Sequence, residues 1–177
     1  MVGREPEFEA VVEACTTADS SGKLVWIQAA MGGGKSAFLR AAVQRLAALD
    51  AERTWTFLDR CEPRPWLPYQ GISRLLSQLA GRLREEPREW VESLVPRDAH
   101  CLADAFPAFK RVSAFALLDE GARIPDPVER RWRAFLALRS FLAKLCRERR
   151  VVFGIDDVHW ADPVMLDLLD EVEAGAV

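Results

Sequence analysis

The sequence is poor in the residues that build metal centres and cross-linked frameworks. It has two histidines and four cysteines in 177 residues, and Cys15, Cys61, Cys101 and Cys146 stand at least 40 positions apart. Without a CxxC pair, a zinc ribbon or knuckle is excluded and a dense disulfide framework is disfavoured. Reduced, partly buried thiols are expected instead. No apolar run approaches the ~18 residues of a membrane span; the best, Leu24-Val25-Trp26-Ile27, is interrupted by Gln28. Five charged residues among the first fifteen, with no long apolar stretch, speak against a secretory signal, so a cytoplasmic location is expected. Positive charge is not in excess either. A net charge of −3 argues against non-specific nucleic-acid binding by the whole surface. Internal repeats and low-complexity linkers are absent.

What remains is ordinary globular composition, half hydrophobic and 29% charged. A chain of this length can bury roughly two-thirds of its unfolded surface and build a core. Residues 7–18 place Phe8, Val11, Val12 and Cys15 at helical spacing. Lys23 to Gln28 reads as a buried strand, short and rich in β-formers. A glycine cluster follows, and then Phe38, Leu39, Ala42, Val43, Leu46 and Leu49 form one stripe at a 3.6 period. Trp55 to Leu58 is a second strand candidate. Residues 62–68 carry three prolines and read as loop. Helices are expected at 71–84 and 127–147; in the second, Val128, Trp132, Phe135, Leu138, Leu142 and Leu145 share a face. Between them, 85–126 reads as short helices broken by prolines. Val151 to Ile155 is a third strand, and Asp162-Pro163 starts a last helix with Asp as N-cap and Pro at N1. Alternating strands and helices indicate an α/β fold with a parallel sheet.

Chemistry concentrates at Ala29-Ala30-Met31-Gly32-Gly33-Gly34-Lys35-Ser36, between strand and helix. A nucleoside triphosphate brings about four negative charges, and holding it takes many N–H donors converging on one point. Glycines allow the backbone to approach closely and turn through φ > 0, so that successive amides wrap the phosphates. The following helix adds its first amides and its positive dipole end. Lys35 can reach the β- and γ-phosphates, and the Ser36 hydroxyl can ligate Mg²⁺. The bland reading is a glycine turn followed by an ordinary Lys-Ser, but the flanking strand and helix are the context a phosphate loop requires. The match to GxxxxGK[ST] departs at position 29, where Ala stands for Gly. Ala is tolerated there if its φ is negative.

The strand Val151–Ile155 delivers Asp156 and Asp157 at its C-terminal edge, where ligands bind in open α/β sheets. Asp156 is assigned to Mg²⁺ and Asp157 to orienting the attacking water. Alone, the pair reads as a strand-end turn cap; the phosphate loop upstream favours the functional reading.

Val2-Gly3-Arg4-Glu5, Gly32-Gly33-Gly34-Lys35-Ser36 and Asp156-Asp157-Val158-His159-Trp160-Ala161-Asp162 occur in that order. Together with Pro68-Tyr69-Gln70 and the Arg-rich helix 129–147, they resemble the AAA-like, STAND-class P-loop ATPase domain of large ATP-binding LuxR-type bacterial regulators. The resemblance spans nearly the whole chain. It implies a three-layer α/β/α P-loop NTPase with a parallel sheet, 1–177 being one domain and 62–126 a helical and loop insertion within it. It implies ATP and Mg²⁺ as cofactors, with Val2, Gly3 and Arg4 against the adenine. Gly32, Gly33, Gly34, Lys35 and Ser36 would hold phosphate and metal, and Asp156 and Asp157 would form the Walker B pair. Bland readings serve better for Trp160, packed under its loop, for His159 as a polar loop residue, for Asp162 as an N-cap and for His100 as a surface or satisfied histidine. The arginine clusters at 129–133 and 147–150 read as solvated helix faces.

The resemblance also implies a sensor strand between the phosphate-loop and acidic strands, an arginine finger and a lid, none with a counterpart here. The sheet is therefore expected to be incomplete, with about three strands. Either the chain is a fragment, or those three strands close up directly. The function expected is a Mg-ATP switch module attached to regulatory domains, hydrolysing ATP slowly or only holding it. It would not bind DNA or membrane itself, and oligomerisation is left open. The alternatives are a small nucleotide or metabolite kinase, or a non-catalytic nucleotide-binding remnant acting through protein partners.

Overall fold

A computed structural model describes residues 3–17, 22–63, 69–116 and 124–174. Helix α1 spans Glu5–Thr16 and α2 spans Lys35–Leu49. Strand β1 follows at Thr54–Arg60. Then come α3 (Gln70–Leu83), α4 (Arg88–Leu94), α5 (Ala99–Ala105), a 3₁₀ turn at Pro107–Arg111 and the short α6 (Ser113–Ala116). Helix α7 (Pro127–Leu145) leads into β2 (Arg150–Asp156), a 3₁₀ turn at Val158–Trp160, and α8 (Pro163–Ala174). Of the loop expected at 62–68, residues 64–68 lie outside the described residues.

β1 and β2 pair in parallel, in a register that sets Phe57 beside Phe153 and Arg60 beside Asp156. Alternation then sorts the side chains by face. Trp55 and Phe57, with Val151, Phe153 and Ile155, join the core with α3, and the Phe57 and Phe153 rings stack at 5.6 Å. Gly154 points the other way, toward Leu39 and Val43 of α2. A methyl group there would lie 2.7 Å from Leu58 Cδ1 and 3.0 Å from Val43 Cγ2, so glycine is what lets α2 seat against the sheet. α1 packs outside α2, with Phe8 edge-on to Phe38 at 5.7 Å. The result is helices on both faces of a short parallel sheet, an incomplete P-loop NTPase fold.

Two expectations are corrected. Residues 23–28 form no strand, and the sheet among the described residues has two strands rather than about three. Leu24, Val25 and Ile27 are half-buried, but they face the outer edge of β2 across an open cleft of about 730 Å³. Consecutive residues Val151 to Ile155 line that cleft, so it borders the edge of β2 and not one face. The segment has the apolar pattern of a strand but no ladder partner, and the three strands do not close up. The second correction concerns α7. Phe135, Leu138 and Leu145 are buried and Leu142 is half-buried, but Val128 and Trp132 at the start of the same stripe are exposed, Trp132 by 50%. The stripe is longer than the surface it packs against.

Most of the core lies on the α3 side. Leu75, Leu76 and Leu79 of α3, Leu102 of α5, Phe109, and Phe141 of α7 are fully buried. Phe141 meets Phe109 and Phe115 edge-on, at 5.7 and 5.8 Å. The segment between β1 and α7 thus shares its core with the sheet. Truncating a ring in such a site loses its transfer energy and leaves a cavity. Phe141→Ala is expected to cost about 3–5 kcal/mol, read as a lower denaturant midpoint at unchanged slope.

Candidate functional site

The chain's direction places both motifs at one end of the sheet. α2 packs on β1 and β2, and only residues 50–53 separate its last residue from β1. Thr54 N donates to Asp50 O (2.8 Å) and Arg150 N to Arg53 O (2.8 Å), so the C-terminus of α2 is fastened to the N-terminal ends of both strands. Its N-terminus, with Lys35 and Ser36, therefore lies at the carboxyl end of the sheet, where β2 delivers Asp156. Leu39, one turn into α2, approaches Gly154, two residues before Asp156.

The glycine turn is open toward that end. Gly32 and Gly34 have φ of 74° and 75°, left-handed conformations that glycine takes without cost. Gly34 is the N-cap of α2. Gly33 is there for close approach: a Cβ would sit 2.9 Å from Ala30 O and 3.1 Å from Ala29 Cβ. Gly33 N donates to Ala30 O (3.0 Å). Among the described residues, the amides of Gly32, Gly34, Lys35 and Ser36 have no backbone partner. The Lys35 amine folds back, with Nζ donating to Ala29 O (2.9 Å) and Ala30 O (3.2 Å). Ala29 keeps a negative φ, since only Tyr69 and Asp157 among described non-glycine residues are positive. The Ala-for-Gly departure therefore carries no backbone strain. Arg4 reaches the same turn, its guanidinium 3.6 Å from where a Gly33 side chain would begin. Arg4 is thus brought to the loop, whereas Gly3 has nothing within 4 Å of where a Cβ would stand; Val2 lies outside the described residues.

At the acidic strand end the two carboxylates diverge. Asp156 Oδ1 accepts from Asp157 N (3.0 Å), and Asp156 O accepts from Cys61 N (2.9 Å), extending the ladder past β1. Asp157 adopts φ 54°, ψ 42°, which turns the chain sharply out of the strand. Its Oδ2 lies 2.5 Å from Arg60 Nε at the end of β1, and its Oδ1 lies 3.9 Å from His159 Nδ1. Arg60 was not a candidate from sequence. It lies two residues beyond the strand read at 55–58 and closes the longer β1, and only the β1–β2 register sets it beside the acidic pair. Beside it, Arg74 of α3 pairs with Asp59 (2.8 Å) and Glu62 (3.0 Å) and donates to Arg60 O (2.9 Å).

The flanking residues divide. Asp162 is buried and caps α8 as expected, Oδ1 accepting from Met165 N (3.0 Å). Trp160 does not pack under its loop: it is 46% exposed and leans on the His159 ring at 5.0 Å. His100 contacts Cys101 Sγ at 3.2 Å. The arginine clusters are only partly solvated faces. Arg133 pairs with Glu129 on α7 (2.6 Å), whereas Arg149 lies over the Trp90 ring at 5.2 Å and the Trp55 ring at 5.9 Å.

All four cysteines are free thiols. Cys61 is buried, and burial, followed by the nearby Asp59 and Asp162 charges, pushes its thiol up to about 11.

A model of the AAA ATPase domain family matches residues 1–172. The chain is also 31% identical over 160 residues to an uncharacterized protein of Rhizobium meliloti (strain 1021), an alignment covering 85% of this chain and 15% of that protein. The chain thus spans about one-seventh of the length of this relative. No solved structure matches significantly.

The thiolate is the nucleophile, so a raised thiol is inert at neutral pH. Cys61 in the native protein should resist iodoacetamide at pH 8 and become reactive only as pH rises toward about 11. The folded thiol gives up its proton later than the unfolded one. Its burial therefore costs no stability below about pH 9, and stability is lost between about 9 and about 11. Peptide mapping by mass spectrometry and denaturant melts across that range check both.

Proposed function

The chain belongs to the AAA ATPase domain family, and on that premise we propose that it is a Mg-ATP-dependent switch module of a bacterial signalling or transcriptional regulator. The observation that carries this reading is the cluster of unengaged amides at Gly32, Gly34, Lys35 and Ser36, at the N-terminus of a fifteen-residue helix and at the same sheet end as Asp156. That is a concentration of donors and positive dipole with no acceptor among the described residues, and polyphosphate is the ligand class that uses it.

In this reading the turn amides receive the β- and γ-phosphates. Lys35 gives up the carbonyls of Ala29 and Ala30 for phosphate oxygens, which repay it with charge-assisted bonds. Gly3 and Arg4 border the adenine end. Ser36 Oγ and the Asp156 carboxylate are hard oxygen donors of the kind Mg²⁺ takes, so the donor set fits the metal. When bound, the metal neutralises charge on the transferring phosphoryl group. Asp157 orients the attacking water. Catalysis of this type is positioning plus electrostatics, so a site built from one chain's loop and strand end hydrolyses slowly and serves as a timer. The regulator role draws support from the resemblance and from the long relative of which the matched region is a small part. Attached domains would then read the bound state, while this module contacts neither DNA nor membrane. The kinase alternative relied on phosphate-loop and acidic strands pairing side by side. An open cleft separates those segments, so that alternative gains no support.

Removing a charged donor to phosphate forfeits about 1.5–3 kcal/mol, roughly 10- to 150-fold in affinity. Lys35→Ala is expected to weaken binding of a fluorescent ATP analogue by that factor. Asp157→Asn is expected to bind ATP normally and to lose phosphate release. Unchanged hydrolysis in Asp157→Asn would remove Asp157 from the reaction. Equal binding by the parent and Lys35→Ala would remove the phosphate loop.

A further inference from the structure

Among the large apolar side chains exposed in the described residues, Met31 is the most open, at 99%. The glycine turn puts it there. Gly33 N donates to Ala30 O (3.0 Å), which closes a four-residue turn with Met31 second and Gly32, at φ 74°, third. A positive φ at the third place is what a type II turn requires, and glycine meets it without cost. Burial does not account for a methionine at the second place, because an exposed thioether gains no transfer energy. Met165 shows the ordinary use of the residue: it is fully buried and fills the space over Gly71.

What sets methionine apart from other apolar residues at this position is its chemistry. The thioether is a weak acceptor and leaves neighbouring donors free. A peroxide changes that. The sulfur attacks one peroxide oxygen, an S–O bond forms, the O–O bond breaks, and water leaves; sulfur is oxidised by two electrons and the peroxide is reduced. The sulfoxide is polar, with an oxygen that accepts hydrogen bonds. Donors without a backbone partner stand beside it: the amides of Gly32, Gly34, Lys35 and Ser36. The Lys35 amine is close as well, resting on the carbonyls of Ala29 and Ala30, the two residues before Met31. The thiols are poorer targets. Desolvation raises Cys15, Cys61, Cys101 and Cys146 above their ordinary value, and thiolate is the reactive form.

We propose that Met31 is an oxidation site on the phosphate loop: peroxide converts it to the sulfoxide, whose oxygen competes with phosphate for the loop's donors and lowers nucleotide affinity. The effect on nucleotide rests on the ATPase reading above. Oxidation itself needs only access, which the apex of the turn provides. The modification is reversible, because sulfoxide reductases return the thioether. Oxidant and nucleotide thus act on one loop, the first setting the affinity for the second.

The test treats the chain with hydrogen peroxide at neutral pH, locates added oxygen by peptide mass spectrometry, and titrates a fluorescent ATP analogue, for the parent, Met31→Leu and Met31→Gln. Met31 is expected to gain one oxygen well before the buried Met165. The oxidised parent is expected to bind the analogue about two- to ten-fold more weakly, the range one competing hydrogen bond spans. Methionine sulfoxide reductases restore the affinity, whereas dithiothreitol alone, which reverses thiol oxidation, does not. Met31→Leu, an apolar swap of similar size, keeps its affinity in peroxide. Met31→Gln, which carries a permanent side-chain acceptor, binds weakly without peroxide. Oxidation of Met31 no faster than of Met165 overturns the proposal, and so does an unchanged affinity once Met31 is oxidised. A loss in peroxide that Met31→Leu shares places the lesion elsewhere and overturns it too. Failure of the untreated parent to bind the analogue overturns the ATPase reading and, with it, the effect on nucleotide.

Discussion

Everything at the candidate site depends on the seating of α2 against β2. Leu39 and Val43 pack over Gly154, and the short link 50–53 ties the other end of the helix to the starts of both strands. A helix held antiparallel to two parallel strands has its N-terminal amides at their carboxyl ends. Those ends are where Asp156 and Asp157 emerge. A side chain at position 154 would wedge the helix off the sheet, and the turn amides and the carboxylates would no longer share a site.

The second constraint is charge pairing across strand ends. Along the rim Arg60 pairs with Asp157, and Arg74 pairs with both Asp59 and Glu62. Such pairs add little to stability, because exposed side chains gain modest Coulomb energy in water and lose freedom in the process. Their effect is on geometry: they decide where a carboxylate points. The buried aromatic cluster of Phe109, Phe115 and Phe141 does the opposite work, supplying stability from apolar contact and no directionality.

The open cleft beside β2 shows how a sheet depends on company. Residues 23–28 are as apolar as β2, yet only β2 forms a ladder, because β1 lies beside it. An extended segment cannot meet its backbone hydrogen bonds alone, and strand identity is a property of a pair. That is why the apolar run read as a strand and did not become one here.

Local signals were enough for the helices, for the N-cap at Asp162, for the glycine turn and for the acidic strand end. Each depends on spacing or on one residue's conformational range, and both are written along the chain. Ala29 followed the same logic, its negative φ being all that its place in the turn required. Tertiary structure alone decided the rest. Which strands pair, which edge of β2 is free, how far the α7 stripe is covered, whether Trp160 folds inward, and that Arg60 meets Asp157 across 97 positions all depend on contacts between distant segments. Sequence periodicity carries one face of one element. It does not carry the partner that the face, or the edge, will meet.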